Sequence, residues 1–189
     1  MTYIDSKSEL RAGMRALKRS LSPEYKADAS AVIFRKIQQM PEFAEATKIM
    51  IYHSLSDEVV THDIIPLWAR NKSVYLPIVE GDDIVVAAYS AHNELQEGCF
   101  GILEPSRADI VSESEIDTID LCIVPAVALS RKGERLGRGK GYYDRFLSRH
   151  NITKIGVCFD EQLIDSIPTE STDVLMNFVI TDKDFIHIG

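Results

Sequence analysis

Cysteine is scarce: the 189 residues contain only Cys99, Cys122 and Cys158. They are odd in number and far apart, and they lack a CxxC pair or a histidine at ligand spacing. A disulfide framework and a zinc site are therefore excluded, and the thiols read as reduced and buried. Long apolar runs are also missing. The N-terminal "MTYIDSKSELRAGMRALKRS" has no signal-type stretch, and later runs are strand-sized, so the expectation is a cytoplasmic protein with no membrane partner. Positive charge is in short supply, with 21 Lys and Arg against 29 Asp and Glu for a net charge of -8. This argues against the extended basic face that nucleic acid or an anionic membrane requires, so any anion site must be local. With no repeat, linker or low-complexity segment, residues 1–189 read as a single domain and are expected to be monomeric.

Leu10, Met14, Leu17 and Leu21 recur at helical spacing, which predicts an amphipathic helix over 6–20. Ser22-Pro23 opens a second helix that runs to about Met40. "TKIMIYHS" reads as a strand, and "SDEVVTHDIIPLWARN" as a helix kinked or broken at Pro66. "SVYLPIV" and "DIVVAAYS" form two more strands around the turn Glu80-Gly81-Asp82. A long loop follows, then the apolar run "LCIVPAVALS", expected to be one strand buried on both faces. "YYDRFLSRH" has helical character, and "KIGVCFD" and "NFVIT" supply the last strands. Strands alternating with helices predict an α/β fold: a single three-layer α/β/α domain with a mostly parallel, Rossmann-like central sheet. Ligands of such sheets bind beyond the carboxyl ends of the strands.

Glycine is not abundant, yet Gly137, Gly139 and Gly141 stand at alternate positions in "GERLGRGKGYYDRFL", among Arg135, Arg138 and Lys140 and just before a helix. Backbone N–H groups at a helix start, close approach at glycine and full positive charges together suit a polyphosphate. The stretch is neither GxGxxG nor a Walker loop, and a flexible basic turn is the other reading. Asp144 is either a dipole-stabilising acid of the first helical turn or a Mg²⁺ ligand beside bound phosphates. Tyr142 and Tyr143 read as core or helix-flank aromatics. The cations Lys7, Arg11, Arg15, Lys18 and Arg19 read, on pattern alone, as a solvated helix face.

"RLGRGKGYYDRFL" closely resembles the signature of the 5-formyltetrahydrofolate cyclo-ligase (methenyltetrahydrofolate synthetase) family. "KSELR", "SLSDEVVT", "FGILEP" and "IPTESTDVL" resemble its other landmarks in the same order, so the resemblance spans almost the whole chain. Lys140 departs from it, standing where many bacterial relatives have glycine. The resemblance implies ATP- and Mg²⁺-dependent conversion of 5-formyltetrahydrofolate, polyglutamylated or not, to 5,10-methenyltetrahydrofolate. It further implies that Lys7, Arg11 and the loop Arg135, Leu136, Gly137, Arg138, Gly139, Lys140, Gly141, Tyr142 and Tyr143 bind ATP. Arg138 to Tyr142 would also face the folate, with Arg138 and Lys140 catalytic. Glu58 would bind the pterin, against a reading as a first-turn helix acid. His53 would contact the substrate or simply pack at a strand end, and Phe100 is more readily a core aromatic than a cover for the folate ring. Asp144 and Asp173 would share Mg²⁺, while Arg15, Lys18 and Arg19 keep the solvated-face reading. A nucleotide- or RNA-binding module, or a sugar-phosphate isomerase or CoA-transferase relative on a similar sheet, are the rival readings; neither accounts for Lys7, Glu58 and Asp173 together.

Overall fold

A computed structural model of the protein describes residues 6–90, 95–98 and 103–189, so Cys99 and Phe100 lie outside the described residues. Helix α1 spans Lys7–Ser20 and α2 spans Pro23–Gln38. Each starts where a serine caps it: the Ser6 hydroxyl accepts from the Glu9 N–H at 3.2 Å, and the Ser22 hydroxyl from the Tyr25 N–H at 3.1 Å. Pro23 opens α2 without losing a bond, because first-turn N–H groups have no helical partner. Short α3 (Pro41–Glu45) leads into β1 (Lys48–Ile51), and α4 (Ile64–Trp68) into β2 (Ser73–Glu80) and β3 (Asp83–Ala88). The two-residue strands β4 (Gln96–Glu97) and β5 (Leu103–Glu104) and helix α5 (Glu113–Ile116) precede β6 (Leu121–Pro125). Then come β7 (Ala128–Ser130), β8 (Arg135–Leu136), α6 (Tyr142–Arg149), β9 (Thr153–Val157), β10 (Leu163–Ile164), β11 (Phe178–Ile180) and β12 (Phe185–His187).

The central sheet has seven strands in the order β12-β11-β9-β6-β1-β2-β3. The five inner strands are parallel, and β3 and β12 close the edges antiparallel. Successive strand residues point to opposite faces and so feed two cores. Ile49 and Ile51 pack with Ile33, Phe34 and Ile37 of α2 and Trp68 of α4, whereas Met50, Cys122 and Val124 pack with Phe146 and Leu147 of α6. This is the expected three-layer arrangement. A third, smaller cluster (Leu10, Val127, Ala128, Leu136, Ile167) seats α1 against the three-stranded sheet β10-β7-β8. Cys122 and Cys158 are buried free thiols, and burial pushes the Cys122 thiol up to about 12. No helix among the described residues is long and apolar enough to cross a membrane.

Two segments differ from their sequence reading. Residues 56–63 are not helical, because serine and threonine side chains around them take the backbone bonds that a helix would need. Ser54 N–H donates to Thr61 Oγ1 at 2.9 Å and Thr61 N–H to Ser54 Oγ at 3.0 Å, while Thr61 Oγ1 donates to the Tyr52 carbonyl at 2.8 Å. Only Ile64–Trp68 coils, with Pro66 inside its first turn where no N–H is required. The run "LCIVPAVALS" also divides. β6 ends at Pro125, which has no N–H to continue the ladder, and Gln162 Nε2 caps the Ala126 and Val127 carbonyls at 3.3 and 2.7 Å before β7 joins the second sheet.

Phe146 is fully buried and anchors α6, the helix that carries the glycine loop. Phe146→Ala is expected to cost about 3–5 kcal/mol of stability by opening a cavity under α6. Chemical denaturation showing less than about 1 kcal/mol would contradict that packing.

Candidate active site

The chain leaves β1 toward β2 on one side, and later leaves β6 toward β9 on the other, so the carboxyl ends of these two neighbouring strands form the switch point of the sheet. A cavity of about 1210 Å³ opens there, lined by Tyr52 and His53 beyond β1 and by Pro125 and Ala126 at the end of β6. Its size exceeds the range of about 300–1,000 Å³ usual for one ligand. Pro77, Val79 and Ile84 supply an apolar wall from β2 and β3. Every site residue expected from the sequence lines this one cavity: Lys7, Arg11, His53, Glu58, residues 135–144 and Asp173.

The glycine loop is held from both sides. Gly139 (φ +101°) and Gly141 (φ +70°) occupy conformations that a side chain would strain, and Gly141 stands at the N-cap of α6. Arg11 passes over Gly139, so close that a β-carbon there would lie 3.3 Å from the guanidinium carbon, and its Nε donates to the Gly137 carbonyl at 2.8 Å. Arg135 lies beneath the loop, its side chain only 3% exposed. It donates to Asp144 Oδ2 at 2.8 Å and the Pro125 carbonyl at 3.2 Å, and sits over the Tyr143 ring. The structure therefore places Arg135 as a brace that orients Asp144 within the first turn of α6. Leu136 is likewise buried, in β8, with its carbonyl taken by the Val127 N–H at 2.7 Å. Lys140 is exposed, and among the described residues its ammonium meets no protein acceptor. Tyr142 and Tyr143 pack on the α6 core, as the aromatic reading expects, and both also line the cavity.

Glu58 sits in a turn rather than a helix: the Glu58 N–H donates to the Leu55 carbonyl at 3.1 Å, and the Leu55 N–H returns to Glu58 Oε2 at 3.0 Å. Its side chain is 10% exposed, and its other oxygen accepts Arg138 Nε at 3.1 Å and Nη2 at 2.9 Å. Arg138 Nη2 also reaches Asp57 Oδ1 at 2.5 Å. Asp57 in turn accepts Lys18 Nζ at 2.5 Å, and Lys18 is only 1% exposed. The expectation that Lys18 belongs to a solvated face is thus overturned. Its ammonium is drawn inward by a carboxylate that the sequence reading passed over, whereas Arg15 and Arg19 are exposed as expected. Although burial opposes it, Lys18 and Arg138 hold the Asp57 carboxyl below its usual range.

Lys7 donates to Asp173 Oδ2 at 2.6 Å and lies 3.2 Å from Glu170, another residue missed from the sequence. Burial works against the charge, but these two carboxylates keep the Lys7 ammonium above its ordinary pKa, and Asp173 is lowered in return. The Val174 N–H points at Asp144 Oδ1 from 3.4 Å, which brings the segment carrying Asp173 against Asp144. His53 is stacked on His62, ring centroids 4.2 Å apart, and burial together with that neighbour lowers it to about 4, so it is neutral at pH 7.

Glycine-loop backbone, lysines, arginines and carboxylates gathered at the switch point of a covered parallel sheet define an α/β enzyme with a small-molecule cleft able to meet phosphate. The chain belongs to the 5-formyltetrahydrofolate cyclo-ligase family, whose sequence profile matches residues 3–182. It is 34% identical to a Caenorhabditis elegans protein named "Probable 5-formyltetrahydrofolate cyclo-ligase", covering 95% of this chain and 94% of that one. The Escherichia coli K12 5-formyltetrahydrofolate cyclo-ligase is 29% identical, over 89% and 96% of the two chains. The solution structure of Aquifex aeolicus 5,10-methenyltetrahydrofolate synthetase superposes with a TM-score of 0.87 at 32% identity, covering 96% of this chain and 92% of that one.

The lowered pKa of His53 makes a pH prediction. Between the unfolded value of 6.5 and the folded value of about 4 the unfolded chain binds the extra proton, so this residue removes stability as pH falls through that window. His53→Asn is expected to flatten the loss of stability between pH 6.5 and 4 in denaturant titrations; identical slopes for the two proteins would exclude the effect.

Proposed function

We propose that the protein converts 5-formyltetrahydrofolate to 5,10-methenyltetrahydrofolate with ATP, releasing ADP and phosphate. The observation that carries this reading is the reach of the glycine loop within one cavity. Arg138 touches Glu58, while the neighbouring Gly137 is bound by α1, the helix that presents Lys7. A pterin at Glu58 and a nucleotide at the loop would therefore lie against the same few residues, as direct transfer between them requires.

An N-formyl group is a poor electrophile because its oxygen leaves badly. Transfer of the γ-phosphoryl group to the formyl oxygen makes that oxygen a phosphate. N10 then attacks the formyl carbon, the carbon–oxygen bond breaks as phosphate departs, and the N10 proton is lost to solvent. Glu58 would accept parallel N–H bonds from the amino-pyrimidine edge, and neutral His53 would contact the same ligand. Lys7, Arg11 and the N–H groups of residues 135–143 would hold the ATP phosphates, with Leu136 serving through its strand backbone and Arg135 through Asp144. Arg138 and Lys140 would stabilise charge on the moving phosphoryl group.

Asp144 and Asp173 fit a shared Mg²⁺ by donor chemistry. Both are hard oxygen ligands lining the cavity, and Asp173 takes Lys7 and the Glu170 N–H on the single oxygen Oδ2. Among the described residues no group of three or more His, Cys, Asp or Glu could cage a metal, so ligand phosphates and water would complete its shell. Bound there, the ion would neutralise phosphate charge.

The direct test follows methenyltetrahydrofolate absorbance with ATP, Mg²⁺ and 5-formyltetrahydrofolate present and each omitted in turn; turnover without ATP would refute the reading. Arg138→Ala and Lys140→Ala are expected to lower kcat about 10²–10³-fold with smaller changes in folate binding. Glu58→Gln should weaken folate about tenfold or more by calorimetry. Asp144→Asn and Asp173→Asn should each raise the Mg²⁺ concentration for half-maximal rate; an unchanged requirement with only a lower Tm would remove them from a metal site.

A further inference from the structure

Lys18 is buried more completely than any other charged side chain of the site, on a helix face that composition alone assigns to solvent. A buried ammonium is tolerated only when paired, and its partner is Asp57 Oδ2 at 2.5 Å. The other oxygen of Asp57 is aimed at Arg138 Nη2, also at 2.5 Å. Lys18 therefore fixes the carboxylate that holds the guanidinium, and a rigid helix reaches through two ion pairs into the glycine loop.

Arg138 needs such an anchor. Its side chain is 47% exposed and sits on a loop of glycines, with Glu58 as its other partner. That partner is the group that the folate would claim. Once Glu58 turns its oxygens to an amino-pyrimidine edge, Arg138 loses the bonds from Nε and Nη2, and Asp57 is the carboxylate that still restrains it. We infer that Lys18 and Asp57 are positioning residues, which keep Arg138 at the loop when substrate displaces it from Glu58. The inference rests on the proposed role of Arg138 in phosphoryl transfer.

A purely structural role, tying α1 to the 55–58 turn, would use the same contacts, so the test is a double-mutant cycle. kcat is measured at saturating ATP and 5-formyltetrahydrofolate for the wild type, Asp57→Asn, Arg138→Ala and the double variant, with thermal melts of each. Asp57→Asn is expected to lower kcat about tenfold or more, because a charge displaced by an ångström loses most of its effect, while the KM for folate changes less than about threefold. In the Arg138→Ala background the same substitution should change kcat by less than about twofold, since nothing is left to position. Equal losses in both backgrounds, or a lower Tm with wild-type kcat, would overturn the inference while leaving the proposed reaction standing. A wild-type kcat for Arg138→Ala would instead defeat the role of Arg138 itself, and the inference with it. If Asp57→Asn strands Lys18 and fails to fold, the neutral pair Lys18→Met with Asp57→Asn takes its place in the cycle, with the same expected and overturning results.

Discussion

The site depends on one face of the first helix. Lys7, Arg11 and Lys18 are separated by four and seven residues, which at 3.6 residues per turn brings all three within about 40° of one line. Each meets a different part of the cavity wall: Lys7 the Asp173 segment, Arg11 the Gly137 carbonyl, and Lys18 the turn that bears Asp57 and Glu58. These three parts come from well-separated stretches of the chain, and α1 is the element that touches them all. Its apolar seat is small, with Leu10 set among Val127, Ala128, Leu136 and Ile167. Much of what fixes its register is therefore charge pairing in a partly buried setting, where Coulomb attraction is weakened less than at an open surface.

The glycines of the loop answer to arginines as much as to any ligand. A β-carbon at Gly137 would fall 2.9 Å from the Arg135 guanidinium, and at Gly141 2.8 Å from that of Arg145, as Gly139 does for Arg11. Arg145 lies over the Tyr142 ring and donates back to the Lys140 carbonyl at 3.0 Å. Three long cations thus pack flat against a backbone stripped of side chains. The loop gains a fixed path from them, and α6, capped by Gly141, starts in a defined place. Preorganisation of this kind is what lets donors act without rearranging as charge moves.

Much of this was legible in the sequence, and the exceptions have local causes. Hydrophobic period located α1, the Ser22-Pro23 cap located the start of α2, and apolar runs located the strands of the parallel sheet, because those signals are local. Residues 56–63 escaped because Ser56 and the acids after it look like a helix start, while the hydroxyls of Ser54 and Thr61 pair with each other's backbone across the turn. β8, β10 and β12 are two or three residues long and are defined by their partners rather than by their own composition. Within the site, the spacing of glycines and cations pointed to the loop, whereas Lys7, Arg11, Glu58 and Asp173 were reached through the family resemblance, the first two reading on pattern alone as a solvated face. Asp57, Glu170 and the inward turn of Lys18 could not be named, because an ion pair between residues 39 apart leaves no periodic trace.

Charge balance explains why an acidic chain can carry such a cavity. Lys7 is matched by Asp173 and Glu170, Arg135 by Asp144, and Arg138 by Asp57 and Glu58, so these cations of the cavity wall each face a carboxylate. An anionic ligand alone would compete with these carboxylates for the same cations and would leave buried negative charge behind. Under the assignments proposed above, that cost is met from the other side: the pterin edge donates to Glu58, and a divalent cation takes Asp144 and Asp173. Glu58, Asp144 and Asp173 would each gain a partner as they lose one, while Asp57 would keep Lys18 and Arg138. On those assignments the two substrates and the metal would be complementary, and joint occupancy would be favoured over that of any one of them alone.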